Sequence, residues 1–195
     1  FEPHWSRHVN VAVLNLAKLS AQQSSEMVSR LAEGKSLPAE IVEQIIAKTD
    51  GVPLFVEELT RTILESGGLV EAGGRFVYAG PTLGFAIPET LRDSLAARLD
   101  RLAKAKPVAQ IGSVIGRTFS HELISALDQI DAAALAEGLA ELTASGLATS
   151  SGLAPGPVSY TFKHALVQDV AYDSLLRSQR KPLHARIAQV LEERH

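Results

Sequence analysis

Gly34-Lys35-Ser36 resemble the end of a phosphate-binding P-loop. A complete P-loop needs a glycine five residues before Gly34, and Ser29 stands there instead. It also needs a strand before it and a helix after it, so that backbone N–H groups surround the phosphate. Here a helical pattern precedes the motif and Leu37-Pro38 follows it. We find no other Walker A sequence and no Walker B, so the chain alone is predicted not to hydrolyse nucleotides.

His4 and His8 are four residues apart, a spacing that could place both on one helix face as metal ligands. Glu2 is the nearest further ligand, and Pro3 disfavours a settled helix at this point. A loosely packed chain end is therefore the favoured interpretation, and no metal ligands are predicted. No Ser-His-Asp order, nucleophile elbow or paired carboxylates stand out, so no catalytic residues are predicted either.

Two other stretches place polar residues where one element meets the next. In Thr49–Thr60, an Asp-Gly turn ends one helix, and Pro53 lies in the first turn of the next helix, where its missing N–H costs nothing. Phe55, Leu59 and Ile63 then recur every four residues and predict a buried helix face. In Tyr160–Tyr172, a strand pattern turns into an amphipathic helix, with His164 as a half-buried capping residue.

The composition is that of an ordinary globular protein with many helices. The chain has 195 residues, of which 46% are hydrophobic and 21% charged, and its net charge is −3. That charge provides no basic excess to attract nucleic acid or anionic lipid. No apolar run approaches the roughly 20 residues that span a bilayer, no signal peptide is visible, and there is no Cys for disulfides. We therefore expect a cytoplasmic protein, and the missing initiator Met suggests a piece of a longer one.

The periodicity predicts a mainly α fold, with a small helical bundle over residues 20–66 and a hairpin linker over residues 67–87. Ser20 and Gln23 form a capping box for the first helix, and Gly73-Gly74 turns the hairpin. Residues 88–195 are predicted to form a winged-helix domain with further C-terminal helices. The expected helix starts are Pro88, Ser120 and Asp131, the wing strands are Leu147–Ser150 and Val158–Phe162, and the last helices are His164–Leu176 and Ser178–Glu193.

A winged helix raises the question of DNA binding. The helix before the wing, Asp131–Ser145, would be the recognition helix, and it contains Glu137 and Glu141 but no Lys or Arg. Phosphate contacts and base readout depend on Arg, Lys, Asn or Gln. We therefore predict no DNA binding by this helix.

The order of these motifs resembles STAND-type signalling ATPases, the AAA-related switches attached to bacterial class III adenylate/guanylate cyclases and LuxR-type regulators. The turn at Gly51 and Pro53 resembles the family's Gly-x-Pro lid motif, in which the Pro packs near the adenine of bound nucleotide. The resemblance implies that both residues contribute to nucleotide binding. It also implies that Val9–Val13, within residues 1–19, is the last strand of the nucleotide-binding core.

His164 resembles the sensor histidine of the STAND winged helix, which contacts the β-phosphate and keeps the ADP-bound form closed. The motif reads Met-His-Asp in plant and animal relatives, whereas Lys163 and Ala165 flank the histidine here. The cyclase-linked bacterial members commonly read Phe-x-His-Ala-Leu, which this chain follows from Phe162 to Leu166.

The resemblance implies the lid and winged-helix half of an ATPase switch, with ATP or ADP and Mg bound only together with an upstream P-loop core. The implied partners are that core, an effector domain of the same polypeptide such as a cyclase, and a protein activator. Two alternatives stay open from the sequence. One is a winged-helix transcription regulator, and the other is a nucleotide-independent helical scaffold for protein interaction.

Overall fold

A computed structural model describes residues 16–79, 88–152 and 157–194 of the chain. The strand predicted at Val9–Val13, the pair His4 and His8, and the loop at Gly80-Pro81 lie outside these residues. The chain divides into two compact units, Phe1–Ile87 and Pro88–His195. The finer division of the first unit stays a prediction. Within the described residues, no helix combines the length and the apolar character needed to cross a bilayer.

The first unit contains three helices, α1 (Ala21–Leu31), α2 (Ala39–Thr49) and α3 (Pro53–Glu65). The capping box predicted for α1 is present, since the Ser20 side chain accepts from the backbone N–H of Gln23 and the Gln23 side chain accepts from that of Ser20. The predicted face of α3 is buried against α1 and α2. Its buried members are Phe55, Leu59 and Ile63, which pack with Val28, Ile41 and Ile45 in a small bundle core.

The predicted hairpin follows the bundle as β1 (Leu69–Ala72) and β2 (Arg75–Tyr78). The strands are antiparallel, with Leu69 opposite Tyr78 and Ala72 opposite Arg75, so Gly73-Gly74 forms the turn as expected. The backbone N–H of Phe76 also donates to the carbonyl of Ser36 at 2.8 Å. The hairpin is thereby joined to the connection between α1 and α2.

The second unit has the order of helices and strands of a winged helix, which confirms the predicted mainly α fold. One helix start was predicted wrongly, because α4 begins at Leu91 rather than Pro88, and Thr90 caps it by accepting from the N–H of Asp93. Ser120 and Asp131 cap their helices as predicted. The helices of this unit are α4 (Leu91–Arg101), α5 (Ala105–Ile115), α6 (His121–Ala126), α7 (Ala132–Ala144), α8 (Ala165–Asp173) and α9 (Arg177–Glu192).

The wing belongs to a sheet of three strands, β3 (Thr118–Ser120), β4 (Ala148–Ser151) and β5 (Ser159–Phe162). The spatial order is β3-β5-β4, and both pairings are antiparallel. The sequence indicated only the two wing strands. Strand β3 escaped prediction because three residues are too few to show a period of two. Its Phe119 is buried, and its ring lies 5.7 Å from that of Tyr160 and 5.6 Å from that of Phe162.

Helices α5 and α7 pack closely, and Gly138 permits the contact. A Cβ atom added at Gly138 would lie 2.5 Å from the backbone oxygen of Lys104 and 2.6 Å from a methyl carbon of Val108. Glu141, one turn further along α7, accepts from the backbone N–H groups of Lys104 at 2.9 Å and Ala105 at 2.6 Å. A carboxylate from α7 therefore caps the first turn of α5.

Candidate functional site

The turn at Gly51 is built from two successive residues in the left-handed backbone conformation. Asp50 has a φ of 47° and Gly51 a φ of 68°. The backbone N–H of Leu19 donates to the carbonyl of Gly51 at 2.8 Å, and a Cβ atom at Gly51 would lie 2.1 Å from the oxygen of Leu19. Only glycine satisfies both the dihedral angle and the close approach. Lys18 also pairs with Asp50, so the segment before α1 is held against this turn.

Pro53 is the first residue of α3, and Val52 is its N-cap. Gly51 is buried, whereas Pro53 is exposed and Val52 has 37% of its surface exposed. The two residues therefore form a small apolar surface at the N-terminal end of a helix. Thr49, on the other side of the turn, has a buried hydroxyl with no hydrogen-bond partner among the described residues. The turn thus combines a backbone held by hydrogen bonds with an exposed apolar surface.

His164 lies between β5 and α8, at the end of the wing. It is the N-cap residue of α8, with φ of −132° and ψ of 145°, and it is half-buried as predicted. Its side chain makes no capping hydrogen bond, unlike those of Ser120 and Asp131. The Nε2 atom is buried and has no hydrogen-bond partner among the described residues. A buried polar atom without a partner costs about 1–3 kcal/mol, so this imidazole has an unused hydrogen-bonding capacity.

The backbone around His164 is fixed by hydrogen bonds on both sides. The N–H of Lys163 donates to the carbonyl of Leu147 at 3.0 Å, and the N–H of Phe162 donates to that of Arg117 at 2.9 Å. The N–H of Val167 donates to the carbonyl of His164 itself at 3.1 Å. Phe162, two residues before the histidine, is completely buried. The imidazole is therefore carried by a rigid strand-to-helix junction rather than by a loose loop.

Lys35 of the incomplete P-loop is engaged by acidic side chains of the first unit. Its Nζ lies 2.8 Å from an oxygen of Glu71 on β1 and 3.8 Å from one of Glu33. The hydrogen bond to Glu71 and the nearby negative charges raise the pKa of Lys35 above its usual value. Gly34 has a φ of 78° after the end of α1, so the motif follows a helix and does not open one.

Helix α7 has the position of a recognition helix, and its two glutamates contact the start of α5 in the same unit. Glu141 caps α5, and the Glu137 carboxylate lies 2.9 Å from Nζ of Lys104, whose pKa it raises. The exposed side is formed mainly by alanines, with no Lys, Arg, Asn or Gln on the helix. Its exposed alanines are Ala132, Ala133, Ala136, Ala140 and Ala144. This surface offers neither a charge for phosphate nor a hydrogen-bonding group for a base edge.

The three residues singled out in the sequence fall into two separate places. Gly51 and Pro53 share one turn of the first unit, whereas His164 belongs to the second unit. No sequence pattern indicates that Leu19 approaches Gly51, because that contact joins residues 32 positions apart through backbone atoms alone. Among the described residues, no three His, Asp or Glu side chains are grouped so that they could hold a metal ion.

Comparison with known proteins gives one informative match. No protein-family model matches the chain. An uncharacterized protein of Rhizobium meliloti is 32% identical over 140 residues, which are 70% of this chain. The same match covers only 13% of the relative, so the chain spans a small part of that protein's length.

Proposed function

We propose that this chain is the regulatory half, lid and winged helix, of a STAND-type ATPase switch in the cytoplasm. In this proposal, an upstream P-loop core binds ADP or ATP with Mg, and the two units of this chain close over the nucleotide. Closure and opening then control an attached effector such as a nucleotide cyclase. The chain itself contributes no catalytic residue.

The observation that carries the proposal is the buried, unpartnered Nε2 of His164. Proteins seldom leave a buried polar atom without a partner, and such an atom in a rigid setting is typical of a group that binds something else. A phosphate oxygen is an acceptor for an imidazole N–H. The residue is also the one that the resemblance assigns to the β-phosphate.

The exposure of Pro53 supports the same proposal. A proline that contacts a base must present its ring at the surface of the isolated lid, and Pro53 does so next to Val52. The long relative from Rhizobium meliloti is also compatible with a module that works inside a multidomain polypeptide. The alanine surface of α7 disfavours the transcription regulator, and no particular observation favours a nucleotide-independent scaffold.

The first test is His164→Ala in the full-length protein. A hydrogen bond to a charged group contributes on the order of 1.5–3 kcal/mol, so ADP retention should weaken by roughly ten- to a hundred-fold. The population should also shift toward the open form, because the contact joins the winged helix to the core. Dissociation of bound ADP and basal effector output would measure the two effects.

The matched control is His121→Ala, which removes an exposed histidine from α6 of the same unit. It should leave ADP dissociation and effector output unchanged. If His164→Ala behaved like His121→Ala in both measurements, the histidine would be only a packing residue behind the wing, and the proposed switch would lose its main support.

The second test is Pro53→Ala in the full-length protein. Because the base is common to both nucleotides, loss of the contact with the proline ring should weaken the binding of ADP and of ATP to a similar extent. Removing two methylene groups from a contact at about 0.8 kcal/mol each corresponds to a several-fold to about tenfold loss of affinity. Titration of each nucleotide by calorimetry would measure it. A loss confined to one of the two nucleotides would contradict a base contact.

A further inference from the structure

A pocket in the second unit lies apart from His164 and from the exposed side of α7. Its volume is about 560 Å³, and it is lined by α5, by the connection between α6 and α7, and by a segment from Leu175 to Arg186 that includes most of α9. Ile111, Ile130 and Leu183 belong to its apolar wall. Pockets of about 300–1,000 Å³ with apolar walls and a few convergent polar groups are typical of small-molecule sites.

The polar side of this pocket includes Gln110 and Gln129, whose amide groups donate to Ser174 and to the carbonyl of Leu127, and three residues of α9. These three are Ser178, Gln179 and Arg186, and none of their side chains bonds to another described residue. None of the described residues that line the pocket is acidic. The nearby Asp131 uses its carboxylate to accept from the N–H groups of Ala133 and Ala134. Within the described residues, the guanidinium of Arg186 is therefore left without a counterion.

The sequence of α9 places no acidic partner beside Arg186 on the helix. One turn before and after Arg186 the helix places Pro182, Leu183, Gln189 and Val190, so no carboxylate stands at the positions where an intrahelical ion pair forms. Two other basic residues of this helix differ in their surroundings. Arg180 pairs with Asp173 and lies over the ring of Tyr172, whereas Arg177 is exposed and does not line the pocket.

We infer that this pocket binds a small organic monocarboxylate with an apolar body. One guanidinium matches the single charge and planar shape of a carboxylate, and the apolar wall accommodates the rest of the molecule. A phosphate group carries nearly two charges and would call for a second cation, which the pocket lining does not supply. The inference does not depend on the proposed nucleotide switch.

The test uses the 195-residue chain and three compounds that share a body, namely 4-phenylbutyrate, 4-phenylbutanol and 4-phenylbutyl phosphate. Binding would be measured by NMR titration, with the side-chain signals of Gln179 and Arg186 as reporters of position. We expect 4-phenylbutyrate to bind with a Kd of roughly 1 mM or tighter, as the efficiency of small ligands allows. The alcohol and the phosphate should each bind at least about tenfold more weakly.

Arg186→Gln removes the charge at a partly exposed position and should weaken the binding of 4-phenylbutyrate by about tenfold or more. Arg177→Gln removes the same charge from an exposed position of the same helix outside the pocket, and should leave the affinity unchanged. Four outcomes would overturn the inference. They are absence of binding by the carboxylate, equal binding of the alcohol, tighter binding of the phosphate, and equal losses in the two variants.

Discussion

At the scale of single residues, Gly51 shows how two separate constraints meet at one position. Its φ of 68° disfavours any side chain, and the backbone oxygen of Leu19 occupies the place of a Cβ atom. The first constraint is local to the turn, whereas the second comes from a segment that precedes α1. A substitution here should therefore disturb both the turn and the position of that segment.

We predict that Gly51→Ala destabilises the first unit by about 2–4 kcal/mol, the sum of backbone strain and of the shift forced on Leu19. Hydrogen exchange at increasing urea, followed on peptides of α2 and α3, would measure the loss within this unit. The matched control is Gly34→Ala, since Gly34 has a φ of 78° but no atom within 4 Å of the added Cβ. Gly34→Ala should lower the free energy of unfolding of the first unit by only about 1–2 kcal/mol. Equal costs in the two variants would mean that the Leu19 contact contributes nothing.

The residue scale also shows where sequence reasoning succeeds. The capping roles of Ser20, Ser120 and Asp131 were predictable because each is a short polar side chain just before an apolar pattern. The half-buried position of His164 at the start of α8 was predictable because a strand pattern turns into a helix pattern there, although its side chain makes no capping bond. The unpartnered state of its Nε2 was not, since it depends on which groups the fold leaves out of reach. The same holds for the pocket at Arg186, which three separate segments form together.

At the scale of elements, the contact between α5 and α7 depends on polar groups as well as on apolar packing. Helix α5 begins at Ala105 with Lys104 as its N-cap, and the Lys104 side chain makes no capping bond. Glu141 of α7 fulfils that role from outside the helix. The orientation of α7 is therefore coupled to the start of α5, the helix that also lines the pocket.

Glu141→Ala should destabilise the second unit by about 1–2.5 kcal/mol, because two N–H groups of the first turn of α5 lose their acceptor. Glu141→Gln keeps one acceptor oxygen and should recover part of this loss. Urea unfolding followed by hydrogen exchange on peptides of α5 would give the values. Glu137→Ala is the control on the same helix, and it removes only the exposed ion pair with Lys104. It should change stability little. A cost of Glu137→Ala as large as that of Glu141→Ala would argue against the capping role.

Sequence reasoning placed well the elements whose periodic apolar pattern continues over many residues. Helix α7 was predicted as Asp131–Ser145, and it runs over Ala132–Ala144 with those two residues as caps. Strand β3 was missed, and the start of α4 was placed at the wrong residue. In the first case only three residues pair, and in the second Thr90 provides a better cap than the proline before it.

At the scale of the whole molecule, the described helices bury apolar faces in two compact units, while the chain contains neither a Walker A nor a Walker B sequence. We therefore predict that the purified 195-residue chain is folded, helical and unable to hydrolyse ATP. Circular dichroism and phosphate release with Mg-ATP would test this. A buffer blank and a column fraction next to the protein peak serve as controls. Turnover that survives repurification and follows the protein peak would refute the prediction.

The strand order β3-β5-β4 has a consequence for how the protein is made. The central strand β5 is the last of the three along the chain, and Thr118 pairs with Thr161, which lies 43 residues later. At roughly 5–20 residues per second, a ribosome needs about 2–9 s to add that segment. During this interval Phe119 lacks the rings of Tyr160 and Phe162, and β3, followed later by β4, lacks β5, its partner strand among the described residues. A nascent chain that stalls during this interval exposes its unpaired strands to chaperones and proteases. His164 is synthesised two residues after β5, the strand that completes the sheet.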